Sequence, residues 1–264
     1  MSERAIHFVS GLPRSGSTLL CNILAQNPSI HSTPTSGCHE ALFAMRNQWD
    51  KWIEHQAAPS VGNHDNLQRV LRAMLYSYHE TDRPVVIDKG RGWTSLLEMT
   101  EPLLGRQAKV LVPVRSIAQI LASLEKLWRK ASATGQVPMD YFQSQTIEGR
   151  VKHWLEGSQV LGLAYNRLKD AMQRGWGDRL HLVEFDALTH EPESTMRGVY
   201  EFLGLPVYPH DFANIQQYTH ETDAVHGGMG DHVVRSTVRP VSDDSVKVLG
   251  SALVRQFVGA EFWR

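Results

Sequence analysis

Residues 11 to 18 read Gly11-Leu12-Pro13-Arg14-Ser15-Gly16-Ser17-Thr18, two glycines separated by four residues and followed by two hydroxyls. An apolar run precedes them and a helical pattern follows, so they form a strand-to-helix loop. Such a loop is a ready anion site, because the unpaired amides of the first helical turn and the helix dipole both face it. The spacing is that of a Walker A phosphate loop with Ser17 in place of the lysine. Nucleotide triphosphatases set that lysine against the β- and γ-phosphates, so its loss removes the main cation of phosphoryl transfer. Arg14 supplies the charge instead. Its planar fork holds a phosphate or sulfonate oxygen without needing a metal.

The elements that must position this loop follow from the hydrophobic period. Residues 5–9 form a short apolar strand, and 17–26 a helix with Leu19, Leu20, Ile23 and Leu24 on one stripe, stopped at Asn27-Pro28. Helices are expected over 40–55 and 67–79. Residues 84–88 and 109–114 are β-branched runs suited to strands buried on both faces, and each leads into a helix, 95–104 and 116–130. Helical pattern then covers 147–172, a strand 180–185, and further helices 192–203 and 245–257. This alternation predicts an α/β fold, a mainly parallel sheet flanked by helices, with 1–264 as a single domain. From 205 to 241, around Gly227-Gly228-Met229-Gly230, the period is lost. A connection of that length is expected to be a lid or binding loop.

Composition narrows the function classes. Apolar residues make up 42% and charged residues 21% of 264, as in an ordinary globular protein. A formal net charge of −1 gives no whole-protein attraction to nucleic acid or anionic lipid, so any anion site must be local. No run reaches the roughly 18 apolar residues of a membrane span, and the apolar segment after Met1 is too short for a signal-peptide core. A cytoplasmic protein without a membrane span is expected. Cys21 and Cys38 make no disulfide framework. The 13 histidines lack a His-Glu-x-x-His pattern, and His220, His226 and His232 read as solvent-facing loop residues, so no metal is expected.

The run Gly-Leu-Pro-Arg-Ser-Gly-Ser-Thr-Leu-Leu at 11–20 resembles the 5'-phosphosulfate loop of sulfotransferases that use 3'-phosphoadenosine 5'-phosphosulfate (PAPS), especially the tyrosylprotein and related bacterial branch. That resemblance implies a P-loop-like fold, with Arg14, Ser15, Gly16, Ser17 and Thr18 holding the donor's 5'-phosphate and sulfonate. In the family, an arginine at a strand end and a serine eight residues on bind the 3'-phosphate. Arg115, after Val110 to Val114, and Ser123 are similar in type, spacing and setting. The run Leu182 to Leu188 is similar to a family strand ending in tyrosine, acid and leucine. Phe185 stands where tyrosine lies beside the adenine, and equally suits a plain core position. Residues 232–240 resemble the segment that closes over the nucleotide, which would bring Arg235, Ser236 and Arg239 to the donor.

Sulfonate transfer needs a proton acceptor for the attacking hydroxyl and cations around the sulfonate and the bridging oxygen. Arg14 is the first cation. Lys89 is the second, since it follows Val85-Val86-Ile87-Asp88 much as a catalytic lysine follows the equivalent strand in the tyrosylprotein enzymes. The carboxyl ends of buried parallel strands are also where open α/β sheets take their ligands. The family's glutamate base falls on Thr35 here, a poor base, which leaves Glu40 or His39 as the proton acceptor. Phe43, Trp49 and Trp52 either line an acceptor pocket or pack as core. The resemblance implies a hydroxyl acceptor and leaves open whether it belongs to a tyrosine peptide, phenol, sugar or lipid. Two other readings stand beside this one: a P-loop kinase with Asp88 on magnesium, and a non-catalytic protein that keeps the fold.

Overall fold

A computed structural model describes residues 4–136, 143, 145–226 and 229–264. Its strands β1 (Ala5–Val9), β2 (Ile30–Thr35), β3 (Val85–Lys89), β4 (Val110–Val114) and β5 (Leu180–Glu184) form one sheet in the order β2-β3-β1-β4-β5. Every neighbouring pair is parallel, which bears out the predicted sheet. The chain runs from β1 outward to β2, returns through β3, and passes over β1 to β4. β1 is therefore where the winding reverses, and its carboxyl end opens into the crevice such sheets use for ligands.

The helices are α1 (Ser17–Leu24), α2 (Cys38–Trp49), α3 (Ile53–Ala57), α4 (His64–Ser77), α5 (Leu97–Leu104) and α6 (Ile117–Ala133). They continue as α7 (Ile147–Leu155), α8 (Val160–Gln173), α9 (Phe185–His190), α10 (Pro192–Leu203), α11 (Ser245–Leu249) and α12 (Ser251–Val254).

Successive strand side chains point to opposite faces, and this parity divides the core. Ile6, Phe8, Val86, Val110, Val112 and Val114 pack with Leu42 of α2, Leu71 of α4, and Ile120 and Leu121 of α6. Val9, Val85, Ile87 and Leu111 pack on the other face with Leu20, Ile23 and Leu24 of α1, and with Val199 and Leu203 of α10. The loop after β1 opens onto the α1 face.

Three expected helices are each divided. Residues 40–55 break after Trp49, where the Trp49 carbonyl accepts from His55 Nδ1 at 2.9 Å and Trp52 is extended. Residues 147–172 break at Glu156, and α8 folds back so tightly that a Cβ on Gly162 would lie 2.2 Å from the Glu156 carbonyl oxygen. Residues 245–257 break at Gly250, whose φ of 88° no other residue type favours. β2 and α9 are absent from the sequence reading. β2 carries a single strongly apolar residue, Ile30, and tolerates Pro34 because it is an edge strand. Between 205 and 241 the regular structure is one short 3-10 turn, Asp223–His226, with Gly227 and Gly228 outside the described residues.

Candidate active site

The loop after β1 is bound to β4 rather than merely adjacent to it. Ser10 and Leu12 donate their amides to Leu111 and Pro113, both at 2.9 Å. A Cβ on Gly11 would approach the Pro113 carbonyl oxygen to 2.5 Å, so this position admits only glycine. Arg14 has φ 57°, the one positive value outside glycine among the described residues. The left-handed conformation costs an ordinary residue roughly 1–2 kcal/mol, a strain held at the loop's cation. Gly16 caps α1 with φ 87° and without a side-chain cap bond, and no acid occupies the first turn. The first helical bond runs from Leu20 to Gly16, so the amides of Ser17, Thr18 and Leu19 have no acceptor within the helix. One expectation is corrected here. The buried Ser15 hydroxyl turns inward, 2.6 Å from the Leu12 carbonyl and 2.8 Å from that of Pro113, and only its backbone remains for an anion.

The loop forms one wall of a cavity of about 710 Å³, a volume suited to a nucleotide-sized ligand. Its lining carries eight lysine or arginine side chains against two aspartates, so the near-neutral chain concentrates positive charge in one place. Arg14, Gly16, Ser17, Thr18, Lys89, Arg115, Ser123, Phe185, Arg235 and Arg239 all line it. Arg14 Nε donates to Ser123 Oγ at 3.1 Å, while its fork is engaged by Asp231, at 3.0 Å to the carbonyl and 2.7 Å to the carboxylate. The Arg115 guanidinium stacks on Phe185, 4.2 Å from the ring centre, and its Nε donates to Gln119 Oε1 at 2.8 Å. Burial pulls the Arg115 pKa below the ordinary arginine value, against the opposing charge of Asp186. Phe185 opens α9 instead of ending β5, and its ring lies 2.6 Å from where a Gly16 Cβ would be. It therefore packs beneath both the loop and Arg115.

Parity on β3 separates two neighbours that the sequence assigns to rival readings. Asp88 points to the α2 face, where its carboxylate accepts from Trp93 Nε1 at 2.7 Å and pairs with His79 Nε2 at 2.5 Å. It is almost fully buried and away from the cavity, which removes the magnesium position that the kinase reading needs. Lys89 points to the α1 face. Its Nζ lies 3.2 Å from Thr18 Oγ1 and 2.5 Å from Glu221 Oε1. Thr35 pairs with Lys89 across the β2–β3 ladder, and its amide donates to the same Glu221 oxygen at 3.0 Å.

Glu221 was not foreseen. Asn22, fully buried in the apolar stripe of α1, places it: Asn22 Nδ2 donates to Thr219 Oγ1 at 2.9 Å and Oδ1 accepts the Thr219 amide at 3.0 Å. This clamp lies two residues before Glu221. A buried amide among apolar neighbours was the one signal in the sequence that a distant segment docks there. Arg91, beside Lys89 on the cavity wall, was also missed.

Neither expected proton acceptor reaches the cavity. The Glu40 side chain is 68% exposed on α2, 3.2 Å from His39 Nε2. His39 is packed under the turn after β3, where Cβ atoms on Gly90 and Gly92 would lie 2.6 and 2.3 Å from its ring. Burial lowers its pKa, with Glu40 and Asp88 opposing. Both are helix-start residues packed or pointed away from the loop. Ser236 does not line the cavity, and its carbonyl accepts the Ile215 amide at 2.6 Å. Trp49 is core and donates to the Gly62 carbonyl at 2.9 Å, while Phe43 and Trp52 are exposed elsewhere. His232, expected in solvent, is mostly buried on the cavity wall. No group of three or more His, Cys, Asp or Glu among the described residues is placed to hold a metal ion. No described helix is long and apolar enough to cross a membrane.

A parallel sheet that reverses at β1, with a glycine-bounded anion loop at that strand's end, defines a P-loop-like protein. The chain belongs to the sulfotransferase family, whose sequence profile matches residues 7–209. Among solved structures it is similar to the sulfotransferase domain from the curacin biosynthetic pathway, at 17% identity and TM-score 0.56 over 97% of both chains. It is also similar to mouse sulfotransferase SULT7A1 complexed with PAP, at 14% identity and TM-score 0.57 over 98% of this chain and 83% of that one. At these identities the likeness is one of fold. Comparison with curated proteins gave no significant match.

Proposed function

We propose that this protein is an enzyme that transfers the sulfonate of PAPS to a hydroxyl acceptor and releases 3'-phosphoadenosine 5'-phosphate (PAP). The observation that carries this reading is the convergence of the loop and the Arg115–Ser123 pair on one cavity, with Arg14 reaching Ser123 at 3.1 Å. PAPS differs from AMP, ADP and ATP in carrying anionic groups at both the 3' and 5' positions of its ribose, and this cavity has a separate cationic group for each. The unpaired amides of Ser17 and Thr18 with Arg14 suit the 5'-phosphosulfate. Arg115 and Ser123 suit the 3'-phosphate, and Phe185 offers a flat apolar surface near Arg115.

Lys89 stands beside Thr18 at the start of α1, where it stabilises negative charge that builds on the bridging oxygen as the sulfonate departs. No covalent enzyme intermediate is required. The whole chain acts as one catalytic domain, and the segment 205–241 serves as its lid, with Arg235 and Arg239 turned to the donor. The mouse structure with PAP bound supports the same choice of nucleotide through its similar fold.

Titration calorimetry tests the donor: PAP binds without added metal and more tightly than ATP with magnesium. Incubation with radiolabelled PAPS and a panel of phenol, tyrosine-peptide, sugar and lipid acceptors tests the transfer, with Arg14→Ala as the control that loses it. Tight magnesium-dependent ATP binding with no response to PAP would overturn the reading.

A further inference from the structure

The family's glutamate is missing at Thr35, and α2 supplies no substitute that reaches the cavity. A carboxylate nevertheless sits at that place. Glu221 Oε1 accepts the Thr35 amide at 3.0 Å and contacts Lys89 Nζ at 2.5 Å, with only 7% of its side chain exposed. Its other oxygen, Oε2, lies 3.3 Å from His232 Nε2, and the Nδ1 of that ring bonds to Asp223 Oδ1. The chain of contacts runs Asp223, His232, Glu221, Lys89, Thr18, from the late segment to the start of α1.

We propose that Glu221 is the general base of this enzyme, an inference that rests on the sulfonate-transfer reading above. The acceptor hydroxyl gives its proton to a Glu221 carboxylate oxygen as its own oxygen bonds to sulfur. The bond between sulfur and the 5'-phosphate oxygen breaks, and that electron pair leaves on PAP. Oε1 is committed to Thr35 and Lys89, so Oε2, on the His232 side, is the oxygen that takes the proton. His232 and Asp223 position Glu221, which lines a smaller adjoining pocket that shares His232, Val233 and Val234 with the main cavity and meets that cavity through its contacts to Lys89 and Thr35. The pair also places the base and the leaving-group cation in direct contact, so the residues that receive the proton and the developing charge move as one unit.

The groups facing Glu221 are Lys89 from β3, Arg91 from the following turn, Cys21 from α1, and His232 and Asp223 from the late segment. Burial acts to raise the Glu221 pKa. The hydrogen bond and charge of Lys89, with the Thr35 bond, outweigh it and hold the carboxyl below its ordinary value. The base is therefore ionised over the neutral range, and its protonation belongs on the acid limb of the rate profile.

Glu221→Gln tests the role, because glutamine retains an acceptor oxygen for both Thr35 and Lys89 and loses only basicity. In full-length protein, PAP affinity by calorimetry should stay within about threefold of wild type while kcat falls about 100-fold or more, the range typical of general-base removal. The acid limb of the kcat/KM profile should vanish in Glu221→Gln and persist in Glu221→Asp. Wild-type turnover with an intact acid limb in Glu221→Gln would overturn Glu221 as the base. Loss of PAP binding together with a lowered Tm in that variant would overturn it too, in favour of a structural role for the pair. If wild type neither binds PAP nor transfers from PAPS, the sulfonate-transfer reading itself fails and the base assignment falls with it.

Discussion

Arg14 Nε donates to Ser123 Oγ across 3.1 Å, joining residues separated by 109 positions. The contact brings the loop after β1 and the first turns of α6 to the same cavity. Each of the two motifs alone is an ordinary feature of an α/β protein, and their distance makes them one site.

Arg115→Ala should weaken PAP about 10- to 100-fold, the worth of a hydrogen bond to a charged group. Affinity for adenosine 5'-monophosphate, which has no 3'-phosphate, should change little. Calorimetry with both nucleotides reads the difference, and an equal loss for each would place Arg115 away from the 3'-phosphate.

Asp231→Asn should tighten PAP binding. Asp231 engages the Arg14 fork at 2.7 Å with about half of its side chain exposed, so an incoming anion must displace it. Exposed pairs are worth about 0.2–1 kcal/mol, which sets the gain at up to about fivefold. The gain should shrink at high salt, and equal affinity at low salt would show that Asp231 does not compete with the donor.

Gly11→Ala should lower stability and donor binding together. The atom it would strike is the Pro113 backbone oxygen at 2.5 Å, which cannot rotate away. A cost of about 1–3 kcal/mol is typical of overpacking, seen as a Tm reduced by several degrees. An unchanged Tm would mean that the loop relaxes freely from β4.

Stability should fall in acid through His7. Burial lowers its pKa from 6.5 to about 3, with Arg106 and Lys109 adding repulsion. The unfolded chain binds this proton below pH 6.5 and the folded chain does not, so the contribution is full above the unfolded value and is lost as pH falls toward 3. At pH 5 the loss is about 2 kcal/mol by linkage. Urea unfolding of His7→Phe at pH 7 and pH 5 should show a decline smaller by that amount, and an identical decline would remove His7 as the cause.

Much of the architecture was legible because it is local. β4 is a continuous apolar run and β3 opens on one, Val85 to Ile87, and the parallel sheet follows from their alternation with helices. The glycine-bounded loop at 11–18 and the Arg115–Ser123 spacing were legible for the same reason, each lying within one strand and the helix after it. β2 was not. With only Ile30 strongly apolar, and Pro34 within it, its identity as a strand comes from pairing with β3. Helices 40–55 and 147–172 read as continuous because periodicity carries through a break that His55 and Gly162 make favourable only in three dimensions.

The sequence by itself determined the family of this protein and the loop that carries its resemblance, since a glycine-bounded loop, an arginine and a strand end lie within a few residues of one another. The tertiary structure decided where the carboxylate stands. Thr35 and Glu221 are 186 positions apart, and the buried Asn22 clamp on Thr219 brings them together. A composition of weak, long-range hydrogen bonds of that kind leaves no period in the chain, which is why Glu40 and His39 were legible as candidates and Glu221, bonded to Thr35 and Lys89, was not.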